Sequence, residues 1–497
     1  MKRKFKPVLS IIKKVFIAIL LFQFMLLGNS CSNNTEKKSA PSIIIKNVNV
    51  IDAVNGLRTN QTVIISGNKI AEVGKISKIK DSSDATIIDA KGKYLIPGLW
   101  DAHVHLVFNR DIEPVMFPLF IANGITSIRD TGGHLDLLKP LIKKAQQNEG
   151  TTPRVFVAGP LIDGIPIVYD GSGGMPNLAI GAGTIEYVIH IVDSLADAGV
   201  NQIKAYEMLS PEVYRELVIR ATKRGLLVTG HVPLSMDVVE ASDLGLRGME
   251  HMRNLEMSCS SDFDSLLSAR KQMILVGKKL SGSRLRSSMH SAQRQYAIRT
   301  QDTERRNYVL KTLAKNDTWQ TPTLTIVASG ANRVYARESW RDYYRYLPEP
   351  VRSQWTNNGL RNSKGSASES SVAFASWAYD MVKAISDAGI NIMAGTDSPI
   401  AYLTPGYSLH EELRLLVGSG LTTMQAIEAA TIRPAQFFGI DNELGTIEKG
   451  MLADLVLLDA NPLENINNTR TIRAVIKNGN LLDRDALDGI LEKLCRE

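Results

Sequence analysis

The chain has 497 residues, 44% of them hydrophobic and 22% charged, which is enough apolar matter for one large domain with a smaller companion. Its formal net charge of +7 is concentrated at the start: Lys2, Arg3, Lys4, Lys6, Lys13 and Lys14 stand in residues 1–30 with no acidic residue, and the remaining 52 basic residues meet 51 acidic ones. So even a balance argues against a nucleic-acid partner, and three cysteines are too few for a disulfide framework or a cysteine-rich metal site.

In chain order, the basic start runs into VFIAILLFQFMLL (15–27), shorter than the roughly 20 residues of a membrane span and fitting a secretory leader over 1–30. LLGNSC (26–31) resembles a bacterial lipobox, with Asn29 at a looser position, and that resemblance implies a lipid on Cys31. The chain would then sit outside the cytoplasm on a bacterial cell or outer membrane, with the polar stretch 31–42 as its tether. Residues 43–96 alternate apolar and polar in short runs, with SGNK (66–69) as a hairpin turn, and the same texture returns over 440–485. Neither flank has a sufficient core alone, so the two are expected to form one small β-sandwich. Residues 486–497 are left as a tail.

Between the flanks, over 97–439, apolar strand-like runs alternate with helical segments: GITSIRD, RVFVAGP, QIKAYEM, LLVTGHVP, GMEHM, WQTPTLTIV, NIMAGTDSP. That alternation predicts a parallel sheet, and about eight repeats favour a closed (β/α)₈ TIM-like barrel. No G-x-G-x-x-G or Walker motif supports nucleotide binding. Two charged insertions, 254–318 and 333–380, follow strand ends on the face where such a barrel places its active site.

The strand ends carry the chemistry. In DAHVHL (101–106), His103 and His105 share a face because side chains alternate along a strand. Lys204, His231, His251 and Asp397 each stand late in an apolar run. Imidazole nitrogens and a carboxylate suit a divalent ion, zinc above all. His103, His105 and Asp397 could hold one ion and His231 with His251 a second. Two ions need an anionic bridge, which Lys204 supplies only if carbamylated; with a single ion it is a plain amine or a salt-bridged core lysine. Tyr206 shares the face of Lys204 and either lines the pocket or packs. Arg129 either pairs with Asp130 or binds a substrate carboxylate. His134 lies in a loop, and His190, His290 and His410 fall in helical or inserted segments with no assigned role.

PGLWDAHVHL, GITSIRDTGG, IKAYEMLSPE, VTGHVP, MEHM, TPTL and GTIEKGMLADLVLLD together resemble the metal-dependent amidohydrolase superfamily, in particular its imidazolonepropionase- and prolidase-like members, over about residues 43–485. The resemblance implies hydrolysis of a carbon–nitrogen bond in an amide, cyclic amide or dipeptide. It makes Asp397 both ligand and proton shuttle, and Lys204 the carbamylated bridge. A prolidase-like exopeptidase on small or short-peptide substrates is the specific expectation. An esterase or lactonase using the same site, or a solute-binding lipoprotein without catalysis, are the alternatives. The long charged insertion after His251 departs from the family pattern and leaves the substrate open.

Overall fold

The computed structural model describes residues 42–75, 85–277 and 279–496. The leader, Cys31 and all of the expected tether except Ser42 lie outside them. Among the described residues no helix is long and apolar enough to cross a membrane. The alternation read in the sequence gives β1 (Ser42–Asp52), β2 (Gly56–Ser66) and β3 (Lys69–Gly74), an antiparallel meander in which Ile43, Ile45, Val48, Val63 and Ile65 turn inward. β4 (Thr86–Asp89) runs parallel to the first half of β1 and β5 (Tyr94–Pro97) to its second half.

From Leu99 the strands lose their polar face. Every residue of β6 (Leu99–Val104) and β7 (Ile125–Asp130) is buried, as parallel strands covered on both sides require. β8 (Arg154–Val157) completes a parallel sheet with them. A second parallel sheet holds β9 (Leu161–Asp163), β10 (Ala179–Gly181), β11 (Gln202–Ala205), β12 (Leu227–Gly230), β13 (Leu246–Glu250) and β14 (Trp319–Thr321), in the order β10-β9-β11-β12-β13-β14. Hydrogen bonds join the two sheets on both sides. Asn201 N donates to Val157 O at 2.9 Å. Opposite, the segment 391–398 lies between β14 and β6: Met393 N donates to Gln320 O at 2.9 Å, and Ala102 N donates to Ala394 O at 2.8 Å. Gly395 permits that approach, since a Cβ there would stand 2.6 Å from the Cβ of His103. The result is a TIM-barrel-like fold with an extra domain.

WQTPTLTIV, read as one strand, is a strand only to Thr321. Pro322 has no N–H to continue the ladder, Thr323 takes a left-handed φ of 48°, and Leu324–Val327 is helical. Both insertions are helical. Residues 254–318 contain the helices Phe263–Val276, Gly282–Arg299 and Thr303–Lys315, and 333–380 contain Glu349–Asn362 and the first half of Glu369–Asp387.

The far end of the chain returns to the first sheet as β15 (Leu455–Leu458), β16 (Ile472–Lys477) and β17 (Asn480–Leu482), with β15 antiparallel to β5. Where the sequence predicts a sandwich, the hydrogen bonds define a single eight-stranded sheet that branches at β1 and encloses its own apolar cluster, drawn from both chain ends. The stretch expected as a tail lies in the helix Arg484–Arg496, whose Leu487 and Leu494 join the main core; their spacing of seven puts both on one helical face.

Candidate metal centre

His103 is the penultimate residue of β6, His105 follows the strand, and Lys204 lies in β11. His231 follows β12, His251 follows β13, and Asp397 ends the segment beside β6. All six side chains are buried and converge at the C-terminal ends of the parallel strands. Asp397 is the hub: its Oδ1 stands 3.3 Å from the Nε2 atoms of both His103 and His105, and its Oδ2 3.9 Å from Nε2 of His251. His103, His251 and Asp397 each present an atom within 4.8 Å of the others. The His231 and His251 rings lie 4.9 Å apart, those of His103 and His251 4.6 Å. His251 is thus shared between the two expected groups rather than belonging to His231 alone. Its backbone takes a left-handed φ of 58°.

Each histidine is held from behind. His103 Nδ1 meets Glu250 Oε2 at 2.7 Å, His231 Nδ1 meets Glu207 Oε1 at 2.6 Å, His251 Nδ1 meets Thr323 Oγ1 at 2.6 Å, and His105 Nδ1 meets Gly132 O at 3.1 Å. With the proton on Nδ1, every Nε2 keeps its lone pair for the cavity, the arrangement that orients metal-ligating histidines. Burial pushes the His231 ring down to about 3 and the His251 ring well below its usual value, so both stay neutral. Burial works to raise Glu250, but the charges of Arg129 and Lys204, with the hydrogen bond from His103, outweigh it and hold that carboxyl well below its usual range. Asp397, with φ of 67°, Thr323 and His251 are non-glycine residues in the left-handed region, backbone strain of the kind that gathers at functional sites.

The residues fit a divalent ion. His103 Nε2, Asp397 Oδ1 and Lys204 Nζ are buried there without a hydrogen-bond partner among the described residues, a costly state for polar atoms that a cation would relieve at the imidazole and the carboxylate. Burial, partly offset by Glu250, brings the Lys204 ammonium down to about 8.

The remaining residues sort by place. Tyr206 lies one residue past β11 and lines the same cavity as Lys204, its hydroxyl accepting a hydrogen bond from Arg286 Nη1 at 3.2 Å. Arg129 pairs with Glu250 at 2.8 Å, not with Asp130, and donates to Ala102 O at 2.5 Å beneath the centre. Neighbours on a strand face opposite ways: Asp130 turns to the Leu106 and Gly132 amides instead. The fully buried Arg129 does not line the cavity, which removes it as a substrate contact. His134 bonds Asn177, His190 stacks on Tyr187, and His410 is held between Thr469 and Asn123, all apart from the centre. His290 is different: it reaches in from the insertion to within 3.7 Å of Glu207. Sequence reading also passed over Glu207 and Glu250, although each is a lone carboxylate in an apolar run, the signal that marked Lys204 and Asp397.

A buried histidine–aspartate–lysine centre on a TIM-barrel-like fold defines the class, the metal-dependent amidohydrolases. Residues 94–482 match the amidohydrolase family, and the chain belongs to it. A dihydroorotase from Streptococcus thermophilus is 43% identical over 63 residues, 13% of this chain and 14% of that enzyme. A 5'-deoxyadenosine deaminase from Methanococcus maripaludis is 26% identical over 187 residues, 37% of this chain and 38% of the relative. The chain therefore spans well under half the length of these curated relatives. Among solved structures, a bottromycin amidohydrolase superposes with a TM-score of 0.65 at 21% identity, over 92% of this chain and 90% of that one. A Xaa-Pro dipeptidase with bound methionine gives 0.63 at 19% identity, over 89% and 100%. At such identities the likeness establishes the fold.

Proposed function

We propose that the protein is a metal-dependent hydrolase of carbon–nitrogen bonds in small substrates, with a prolidase-like exopeptidase as the specific reading. The observation that carries it is the convergence of His105, His231, His251 and Asp397 on a cavity of about 200 Å³, with His103 Nε2 3.3 Å from Asp397 beside it. A space of that size suits a short peptide or an acylated amino acid rather than an internal bond of a folded protein. The fold is read as a closed (β/α)₈ barrel over 97–439, with the small β domain drawn from 43–96 and 440–485.

His103, His105, His231, His251 and Asp397 would hold the ion or ions, zinc by donor type. A divalent ion there supplies Lewis acidity, lowering the pKa of water and polarising a carbonyl. Asp397 takes the proton of the attacking water and delivers it to the leaving nitrogen, general acid–base work worth about 10²–10⁴-fold. Lys204, brought down to about 8, has a neutral amine fraction that could attack carbon dioxide and lose a proton, and as a carbamate it would join the residues that hold two ions. Cys31 carries the lipid that holds the enzyme outside the cytoplasm, and Cys31→Ala is expected to release it from membranes.

Elemental analysis followed by a screen of dipeptides, N-acyl amino acids and lactones tests the reading. Amide turnover that falls on chelation and returns with zinc is expected. Turnover of lactones alone moves the enzyme to the esterase alternative, and a metal-loaded protein that turns over nothing is a binding protein.

A further inference from the structure

Two cavities meet at the metal centre. The first, of about 200 Å³, holds Lys204, His231 and Asp397; the second, of about 220 Å³, shares His251, Arg253 and Ile326 with it and is closed by Glu256, Arg294 and Phe374. Glu256 and Arg294 come from the insertion 254–318 and Phe374 from 333–380, so both insertions are needed to build the second cavity.

Its charge is unbalanced. Glu207 faces Arg253 and Arg286 at 3.7 and 3.9 Å, and Glu256 faces Arg294 at 3.6 Å and feels the charge of Arg270. Of these groups the second cavity itself presents two guanidinium groups, Arg253 and Arg294, against one carboxylate, Glu256. Burial would raise Glu256, but the charge of Arg294 leads the effects that hold its carboxyl below the usual value. His290, pushed down to about 4 chiefly by burial, adds no charge at neutral pH. The carboxylate contacts of Arg253 and Arg294 are longer than hydrogen bonds, and the Nε of each is buried without a partner. Arg294 is steadied instead by the Phe374 ring, 4.3 Å from its guanidinium carbon to the ring centroid, a cation–π contact that leaves its donors free.

We propose that Arg253 and Arg294 are specificity residues that bind a substrate carboxylate carried on an apolar stem, the stem lying against Phe374 and Ile326 and the scissile bond in the first cavity. The proposal rests on the hydrolase reading for the scissile bond but not for the anion. A planar guanidinium with unused donors pairs with a carboxylate bidentately, and the apolar walls disfavour a bare inorganic anion.

The test uses 4-phenylbutyrate and its neutral counterpart 4-phenylbutanol, titrated by calorimetry into the metal-loaded full chain. The carboxylate should bind at least tenfold more tightly than the alcohol, and Arg294→Gln should remove that preference while leaving alcohol binding unchanged. Arg294→Lys, which keeps the charge and loses the planar fork, should retain part of it and serves if the Gln variant does not fold. In parallel, kcat/KM for a dipeptide over its C-terminal amide should fall at least tenfold in Arg294→Gln, with KM carrying the change. Equal binding of the two probes to wild type, or an undiminished preference in a folded Arg294 variant, overturns the proposal. If wild type hydrolyses neither peptide, the hydrolase reading fails and the binding contrast alone decides the anion site.

Discussion

His103, His231 and His251 each fasten Nδ1 to a buried partner at 2.6 to 2.7 Å and leave Nε2 for the strand-end centre. Across the cavity, Arg253, Arg286 and Arg294 meet Glu207 and Glu256 only at 3.6 to 3.9 Å. The strand-end wall is preorganised by a second layer of contacts, as ligands that must hold one geometry require. The insertion wall is under-satisfied and has donors left to give. If one wall performs the proposed chemistry and the other chooses what reaches it, substitutions in the two should separate kinetically.

The sharpest break lies at Asp397. Asp397→Asn keeps the shape and removes the proton acceptor, so kcat should fall by roughly 10²–10⁴-fold with the fold intact by circular dichroism. If kcat changes less than tenfold, the strand-end wall is not where the proton moves. Lys204→Arg comes next. Guanidinium cannot be carbamylated and stays cationic, so metal per chain and activity should fall together; two ions per chain with normal turnover would remove the bridge and leave a single-ion centre.

Much of the strand-end wall is legible in the sequence because an apolar strand makes a polar residue conspicuous. His103 and His105 stand out in LWDAHVHL, Lys204 in QIKAYEM and Asp397 in NIMAGTDSP. Glu207 and Glu250 carried the same signal, but nothing local says that a carboxylate faces a histidine on a neighbouring strand. The partner of Arg129 was hidden for a related reason: adjacency suggests Asp130, whereas pleating sends the two to opposite faces. The insertion wall is not legible. In GSRLRSSMHSAQRQYAIR polar residues lie on every face of the helix, so Arg286, His290 and Arg294 give no periodic cue. Which face turns inward is set by docking, and at Gly282 a Cβ would stand 2.4 Å from Pro166 O. The extra domain was readable as strands because their alternation is local, but its branching at β1 depends on which partner each half of that strand meets.

A smaller effect tests the layer behind the histidines. Glu250→Gln weakens the hold on His103 and leaves Arg129 buried beside a neutral amide, so metal affinity should drop by about 10–100-fold. Competition against a chelator measures it, and activity should return at high metal concentration. An unchanged affinity would mean that Glu250 serves Arg129 and the fold rather than the centre.

The mildest prediction concerns what holds the insertion wall in place. Glu411 is fully buried on the helix Tyr407–Gly418 and accepts from Arg414 at 2.6 Å and from Arg337, in the second insertion, at 2.7 Å, with Arg470 at 3.4 Å. Burial alone would raise its carboxyl, but Arg414 and Arg337 hold it at about 2, below the roughly 4.3 of a free glutamate. A depressed carboxylate contributes stability that is fully present above the unfolded value and is lost as pH falls through the folded one. The anchor should therefore weaken between about pH 4 and pH 2. The arginines are partly exposed, 42% for Arg337 and 38% for Arg414, so screening limits the effect of Glu411→Gln at neutral pH to about 1–2 kcal/mol. Limited proteolysis by an acid-active protease at pH 3 should cut within 338–362 before the barrel unfolds, and the Gln variant should be cut there already at pH 5. If cleavage at pH 3 begins only with global unfolding, or the variant matches wild type at both pH values, the second insertion is held by its apolar packing and the contrast between the two walls does not extend to how they are anchored.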